Sequence, residues 1–192
     1  MARPKIDTER QIQIMRALEV CVIRQGLAKT TLKDVADEAG IPRPLVRYFV
    51  GNRDEMIAKL FDGMIERGEA QIAEQQSREQ ELSLAALLDL LFDQLFADET
   101  SNALISELWY VAERDETVRV KLAALYQRVR DDIADGLARE GLGATAAIRL
   151  DAAYALVALS YGQASFEAIG LKPRRRGSVR AQAASIIETL KL

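Results

Sequence analysis

Apolar positions recur every three or four residues along nearly the whole chain, and no stretch alternates with period two long enough to form a strand. This pattern predicts an all-α protein of about nine helices. The first spans about 7–25, where Ile14, Leu18, Cys21 and Val22 form one stripe and Gly26 supplies the stop. Two short helices follow, from about 31 and over about 42–50, and a fourth begins near Asp54, with Asn52 or Asp54 as cap, and runs toward about 76. The remaining chain predicts helices at about 82–98, 102–114, 116–140, 144–170 and 178–192, with Gly141, Gly143, Gly170 and Pro173 as punctuation. Over 116–140, Val118, Leu122, Leu125, Val129, Ile133 and Leu137 form an apolar stripe, while Arg128, Asp131, Asp132 and Arg139 cover much of the rest.

The two short helices carry the most specific pattern, TLKDVADEAGIPRPLVRYFVGNR at 31–53. Ala36 falls where the first must let the second approach closely. Gly40 sits where the chain can adopt a positive φ without a Cβ penalty. Val35, Ala39, Ile41, Val46 and Phe49 supply inward anchors. Thr31 is a hydroxyl cap with Asp34 in the first turn, where the helix dipole favours an acid. Pro42 and Pro44 fall in the opening turn of the second helix, whose backbone N–H groups have no intrahelical partner. This is the layout of a DNA-reading helix-turn-helix, which presents the early residues of its second helix to base edges in the major groove and its flanks to phosphates.

Arg43 and Arg47 lie one turn apart on one face. An arginine fork matches guanine O6 and N7, and such a pair discriminates by roughly 1–3 kcal/mol. Taken alone, the two arginines are equally ordinary solvated charges; the glycine turn and the flanking Lys29, Lys33 and Arg53 favour DNA. The expected interface is Thr31, Lys33, Arg43, Pro44, Leu45, Arg47, Tyr48 and Arg53.

Charge supports this reading. Residues 1–53 hold ten Lys/Arg against six Asp/Glu, a net of +4, which leaves −7 for the rest of a chain whose total is −3. A basic head on an acidic body fits nucleic-acid binding confined to one end, with phosphate contacts making the affinity salt-dependent. The expected division is a DNA-binding domain over 1–53 and an effector-binding and dimerisation domain over 54–192. Arg3 and Lys5 are either an arm over the minor groove or a disordered terminus. KPRRRG at 172–177 either touches DNA or an acidic patch or is simply solvated.

Composition narrows the chemistry. Histidine is absent, which excludes a Ser-His-Asp triad, a Cys-His pair and a histidine zinc site. Glu107 with Glu113, and Asp131 with Asp132, have no nucleophile, metal cluster or phosphate loop beside them. The expectation is a protein that is not an enzyme, with no cofactor and no metal. The single cysteine, Cys21, lies among Val20, Val22 and Ile23 and reads as a small buried hydrophobe. No apolar run approaches the ~20 residues that span a bilayer, and the amino terminus has no hydrophobic signal core, so a cytoplasmic protein without membrane contact is expected.

The helix over 144–170 has almost no charge between Asp151 and Glu167 and sets Tyr154, Tyr161 and Phe166 among alanines and leucines. A helix apolar nearly all round must be covered on several sides. Paired with the last helix, whose Ala183, Ile186, Ile187 and Leu190 form another stripe, it suits a homodimer seam built as an intermolecular four-helix bundle; the alternative is the central helix of a monomer.

Through Gly26, Thr31, Val35-Ala36, Ala39-Gly40-Ile41, Arg43, Phe49, Arg53 and Met56, the amino-terminal third resembles the TetR family of bacterial transcriptional regulators. Residues 7–57 carry the motif, and the body matches by architecture. The resemblance implies a three-helix head that reads double-stranded DNA, an all-helical body that binds a small molecule, and dimerisation through the last two long helices. The implied function is a repressor released from a palindromic operator by its ligand. An effector-independent architectural DNA binder is the alternative. The implied pocket lies among helices at 82–170, with Phe92, Phe96, Trp109, Tyr110, Tyr126 and Tyr154 as candidate walls and Glu107, Glu113 or Arg130 as orienters. The family usually has Ser or Thr where Pro42 stands, a small residue at Pro44, and Tyr-x-Tyr-Phe where this chain has Arg47-Tyr48-Phe49-Val50. Arg47 thus replaces a phosphate-touching tyrosine with a full charge, Phe49 lacks a second tyrosine's hydroxyl, Tyr48 keeps one beside it, and Arg53 stands for the usual lysine.

Overall fold

In the computed structural model, the backbone is described for residues 3–78, 83–94, 99–175 and 177–191, and the side chains of 3–7, 68–69, 71–78, 94 and 99–101 fall outside that description. The described residues form nine α-helices and no strand: α1 (Arg3–Gln25), α2 (Leu32–Ala39), α3 (Arg43–Val50), α4 (Arg53–Arg78), α5 (Leu84–Asp89), α6 (Glu99–Ala112), α7 (Glu116–Arg139), α8 (Ala146–Ala168) and α9 (Ser178–Thr189). The expected all-α architecture is observed.

Three apolar clusters organise these helices. In the first, Ile14, Leu18, Cys21 and Val22 of α1 meet Val35, Ala36 and Ala39 of α2, Val46 and Val50 of α3, and Met56 and Leu60 of α4. Leu104 of α6 joins them, so the head core is completed by a residue of the body. Leu18, Cys21, Val35 and Val46 are fully buried. Each buried leucine or valine contributes roughly 1.5–3 kcal/mol, enough to hold the two short helices α2 and α3, which would be marginal alone. A second cluster joins α5, α7, α8 and α9 through Leu84, Leu91, Ile133, Leu137, Leu156 and Ala183. A third joins α4, α6 and α7 through Phe61, Leu108, Val118 and Leu122.

Some boundaries differ from those expected. α1 is helical from Arg3 rather than from residue 7, and α3 starts at Arg43 with Pro42 as its cap residue. The helix expected over 82–98 gives way after Asp89 to a π-helical turn, Leu90–Gln94. Leu90 and Leu91 are both buried there. The buried Ser160 hydroxyl of α8 donates to the Leu91 carbonyl at 2.7 Å, giving a partner to a backbone acceptor in the widened turn. Arg180 of α9 clasps Asp93 at 2.5 Å and also pairs with Asp89, tying the same segment from outside.

Candidate functional site

The helix-turn-helix is set by backbone capping. Thr31, in extended conformation, accepts from the Asp34 amide at 3.3 Å, and the Asp34 carboxylate accepts from the Thr31 amide at 2.8 Å and the Thr31 hydroxyl at 2.7 Å. The capping box is complete. It also holds the Asp34 carboxyl below its ordinary range, chiefly through the Thr31 hydroxyl and then through the Thr31 amide. Gly40 ends α2 at φ 63°, and the Ile41 amide returns to the Ala36 carbonyl at 3.1 Å. Gln13 of α1 donates to the Ala39 carbonyl at 2.8 Å, and Arg24 pairs with Glu38 at 2.8 Å, fastening the C-terminal end of α2 to α1 at two points. Asn52 is the cap of α4: its side chain accepts from the Glu55 amide at 3.0 Å while Glu55 accepts from the Asn52 amide at 2.7 Å.

The turn between α1 and α2 is gripped from two sides. Arg53, at the start of α4, donates to the Thr30 carbonyl at 3.1 Å and the Leu27 carbonyl at 3.0 Å. From the body, Glu107 of α6 accepts from the Leu27 amide at 2.7 Å. Gly26 has φ 81°, and a Cβ there would stand 3.3 Å from the Glu107 carboxylate. Thr30 is fully buried, with its hydroxyl donated to the Gly26 carbonyl at 2.9 Å. Nothing local in the sequence announces this clasp, because Glu107 is far away along the chain.

Outward from this frame, α3 exposes Arg43, Pro44, Arg47 and Tyr48, with Val46 and Val50 buried beneath. Among the described residues, Arg43 and Arg47 have no hydrogen-bond or ion-pair partner. Tyr48 is 78% exposed, and its ring meets the half-buried Phe49 edge-on at 5.2 Å. Lys29 and Lys33 are exposed beside them. Of the remaining expected contacts, Leu45 is half-buried against the head core, Thr31 is engaged in its cap, and Arg53 has its fork on backbone carbonyls.

The body holds a cavity of about 570 Å³ between α6, α7 and α8. Trp109, Tyr126 and Tyr154 line it as expected, together with Glu113 and Arg130. Tyr110 does not: it is 53% exposed beneath the Arg114 guanidinium, 4.5 Å from the ring centre, because one residue along a helix rotates it away from Trp109. Phe92 packs into the cluster of α5, α7 and α8, Glu107 faces the head, and Phe96 lies outside the described residues. Tyr161, not among the expected walls, also lines the cavity: it lies two turns beyond Tyr154 on α8 and stacks on Trp109 at 5.2 Å and 27°. Tyr126 accepts from the Trp109 indole at 3.2 Å, and burial pushes its phenol up to about 12.

Among the described residues, no group of three metal-binding side chains exists and no helix is long and apolar enough to cross a membrane. No protein-family model matches the chain. Two curated relatives from Pseudomonas putida do. The probable HTH-type transcriptional regulator ArpR is 30% identical over 95 residues, 50% of this chain and 45% of that protein. The HTH-type transcriptional regulator TtgR is 27% identical over 108 residues, 55% of this chain and 51% of that protein. The chain thus spans about half the length of the curated relatives it matches. A solved TetR transcription regulator from Haloarcula marismortui superposes with a TM-score of 0.81 at 19% identity, covering 95% of this chain and 98% of that one. At that identity the likeness is one of fold: from head to body, the architecture is that of TetR-family regulators.

Proposed function

We propose that the chain is a sequence-specific DNA-binding transcriptional regulator of the TetR kind, a cytoplasmic homodimer that represses from a palindromic operator and is released by a small molecule held in the α6–α8 cavity. The observation that carries this reading is the outer face of α3, where Arg43 and Arg47 stand exposed and, among the described residues, without a partner, on a helix that follows the Gly40 turn closing the capped α2. On this reading Arg43, Pro44 and the half-buried Leu45 meet base edges, and Lys33, Arg47 and Tyr48 meet phosphates. Residues 1–53 form the reading head and 54–192 the effector-binding and dimerising body. The dimer seam is a stripe of α8, Ile148, Ala155, Leu159 and Phe166, beside α9; it lies about a third of a turn around α8 from the cavity-lining Tyr154 and Tyr161.

The same helix, α6, carries Trp109 into the cavity and Glu107 onto the turn before α2. A ligand that displaces its last turn therefore pulls on the head, and Arg53 passes the strain to α4. In a dimer this changes the separation of the two α3 helices, and affinity for two half-sites spaced by one DNA turn, about 34–36 Å, falls.

Selection from a random duplex pool with the purified chain should enrich a palindrome. Enrichment of none, with affinity set by salt alone, would instead make the protein an architectural binder. Arg43→Ala should relax preference at one position at a cost of about 1–3 kcal/mol, whereas Arg47→Ala and Arg53→Ala should weaken all sequences alike, the first through a lost phosphate contact and the second through a loosened turn.

A further inference from the structure

We infer that the α6–α8 cavity takes a flat, largely apolar cation, an aromatic molecule carrying a quaternary or protonated amine. This inference rests on the reading of that cavity as the effector site. One wall is a continuous aromatic surface: Trp109 is stacked on Tyr161, and Tyr126 stands edge-on to Tyr161 at 6.1 Å and tilted to Trp109 at 5.8 Å. Tyr154 closes the side. Ring faces are the negative part of an aromatic side chain and attract cations, most strongly where water is displaced.

The charged lining gives the sign. Both arginines of the cavity already have carboxylates: Arg119 pairs with Glu116, and Arg130 places Nε and Nη2 on Asp131 at 2.8 and 2.6 Å. Glu113, in the turn just after α6, has no such partner among the described residues. Tyr126 remains a neutral phenol at ordinary pH, and Gln127 is uncharged. Counted with the carboxylates that the two arginines pair with, Glu116 and Asp131, the carboxylates at the cavity outnumber the guanidiniums by one, and the one left over is Glu113, an exposed residue of the lining. An anionic ligand would meet Glu113 and would have to draw Arg119 or Arg130 from its existing partner. A neutral ligand would leave Glu113 unused.

Three naphthalene probes of similar shape separate these cases: naphthylmethyl-trimethylammonium, its neutral neopentyl analogue and naphthylmethylsulfonate, each titrated calorimetrically into the purified 192-residue chain. Trp109 is the single tryptophan of the chain, so quenching of its fluorescence reports whether a bound probe is at this wall. The ammonium should bind about tenfold or more tightly than the neutral analogue, with Trp109 quenched, and Glu113→Gln should remove that preference while leaving the neutral probe unchanged. Glu113→Arg should turn the preference toward the sulfonate. Equal binding of ammonium and neutral probes, a preference for the sulfonate in the unsubstituted protein, or no binding of any probe overturns the inference. Circular dichroism of the Glu113 variants guards against misfolding, and Ala158→Phe, which fills the cavity, should abolish binding of all three. The DNA selection is independent of these outcomes. Ammonium binding that leaves operator affinity unchanged would sink release by ligand while leaving the ligand class intact.

Discussion

The head and the body solve opposite problems with the same helical material. In the head, small apolar residues close the core around α2, and the chain ends are fastened by hydrogen bonds: Thr31 with Asp34, Gln13 on the Ala39 carbonyl, Arg53 on Leu27 and Thr30, Glu107 on the Leu27 amide. In the body, α6, α7 and α8 stand apart around about 570 Å³, and the helix before them is broken into a π-helical turn. Under the proposed function, a reading surface must hold its arginines at fixed spacing, whereas an effector site must keep room. The difference teaches that rigidity here comes from satisfied backbone ends, and that adaptability comes from leaving a gap between long helices.

The sharpest way to break this comparison is to add the same atoms to each region. Ala36 is buried where α2 meets the head core, and Ala123 lines the cavity. Ala36→Leu should cost about 1–3 kcal/mol by overpacking, read from the urea midpoint, while Ala123→Leu should cost less than about 0.5 kcal/mol because the space already exists. Equal losses would mean that the cavity walls are as tightly fitted as the head, and the contrast would collapse.

The join between the regions gives the next effect. Glu107→Ala leaves the buried Leu27 amide without its acceptor, and should destabilise by about 1–2 kcal/mol while speeding hydrogen exchange at that amide. Glu107→Gln, which keeps an acceptor oxygen, should lose less than half of that. If exchange at Leu27 is unchanged in Glu107→Ala, the body does not hold the head through this contact.

What the sequence discloses follows the range of the interactions. The Gly40 turn, the Thr31 cap and the first-turn Asp34 are local, so spacing alone predicts them, and all three are present; that Asp34 also accepts from the Thr31 amide is seen only in the structure. The all-α periodicity is equally legible. Arg53 illustrates the limit: its position suggests a phosphate clamp, but its guanidinium lies on two carbonyls whose proximity only the folded turn creates. The cavity shows the same limit. Aromatics mark candidate walls, yet facing depends on how α6, α7 and α8 are rotated, so Trp109 enters and Tyr110 does not. Tyr161 was within reach of the sequence, two turns along α8 from Tyr154. The π-helical turn, in which Leu90 and Leu91 are both buried, has no such signal in the apolar spacing.

The smallest effect tests the comparison by sign. Asp34, in the head, has its carboxyl pulled below the ordinary range by the Thr31 hydroxyl and amide. Its folded form therefore binds protons less readily than the unfolded chain, so its contribution is complete above the usual aspartate range and fades as pH falls through the lowered folded value. Asp132, on α7 of the body, has its carboxyl pushed up, chiefly by burial and with Arg128 opposing. Its contribution has the reverse sense: it favours the folded state in acid and is lost as pH rises through the raised folded value. In a stability series from neutral to acid pH, Asp34→Asn should therefore be less stable than the parent at neutral pH and converge with it in acid. Asp132→Asn should be slightly more stable at neutral pH and also converge. Two variants moving the same way at neutral pH would show that the carboxylate of the reading head is no better accommodated than one the body merely tolerates.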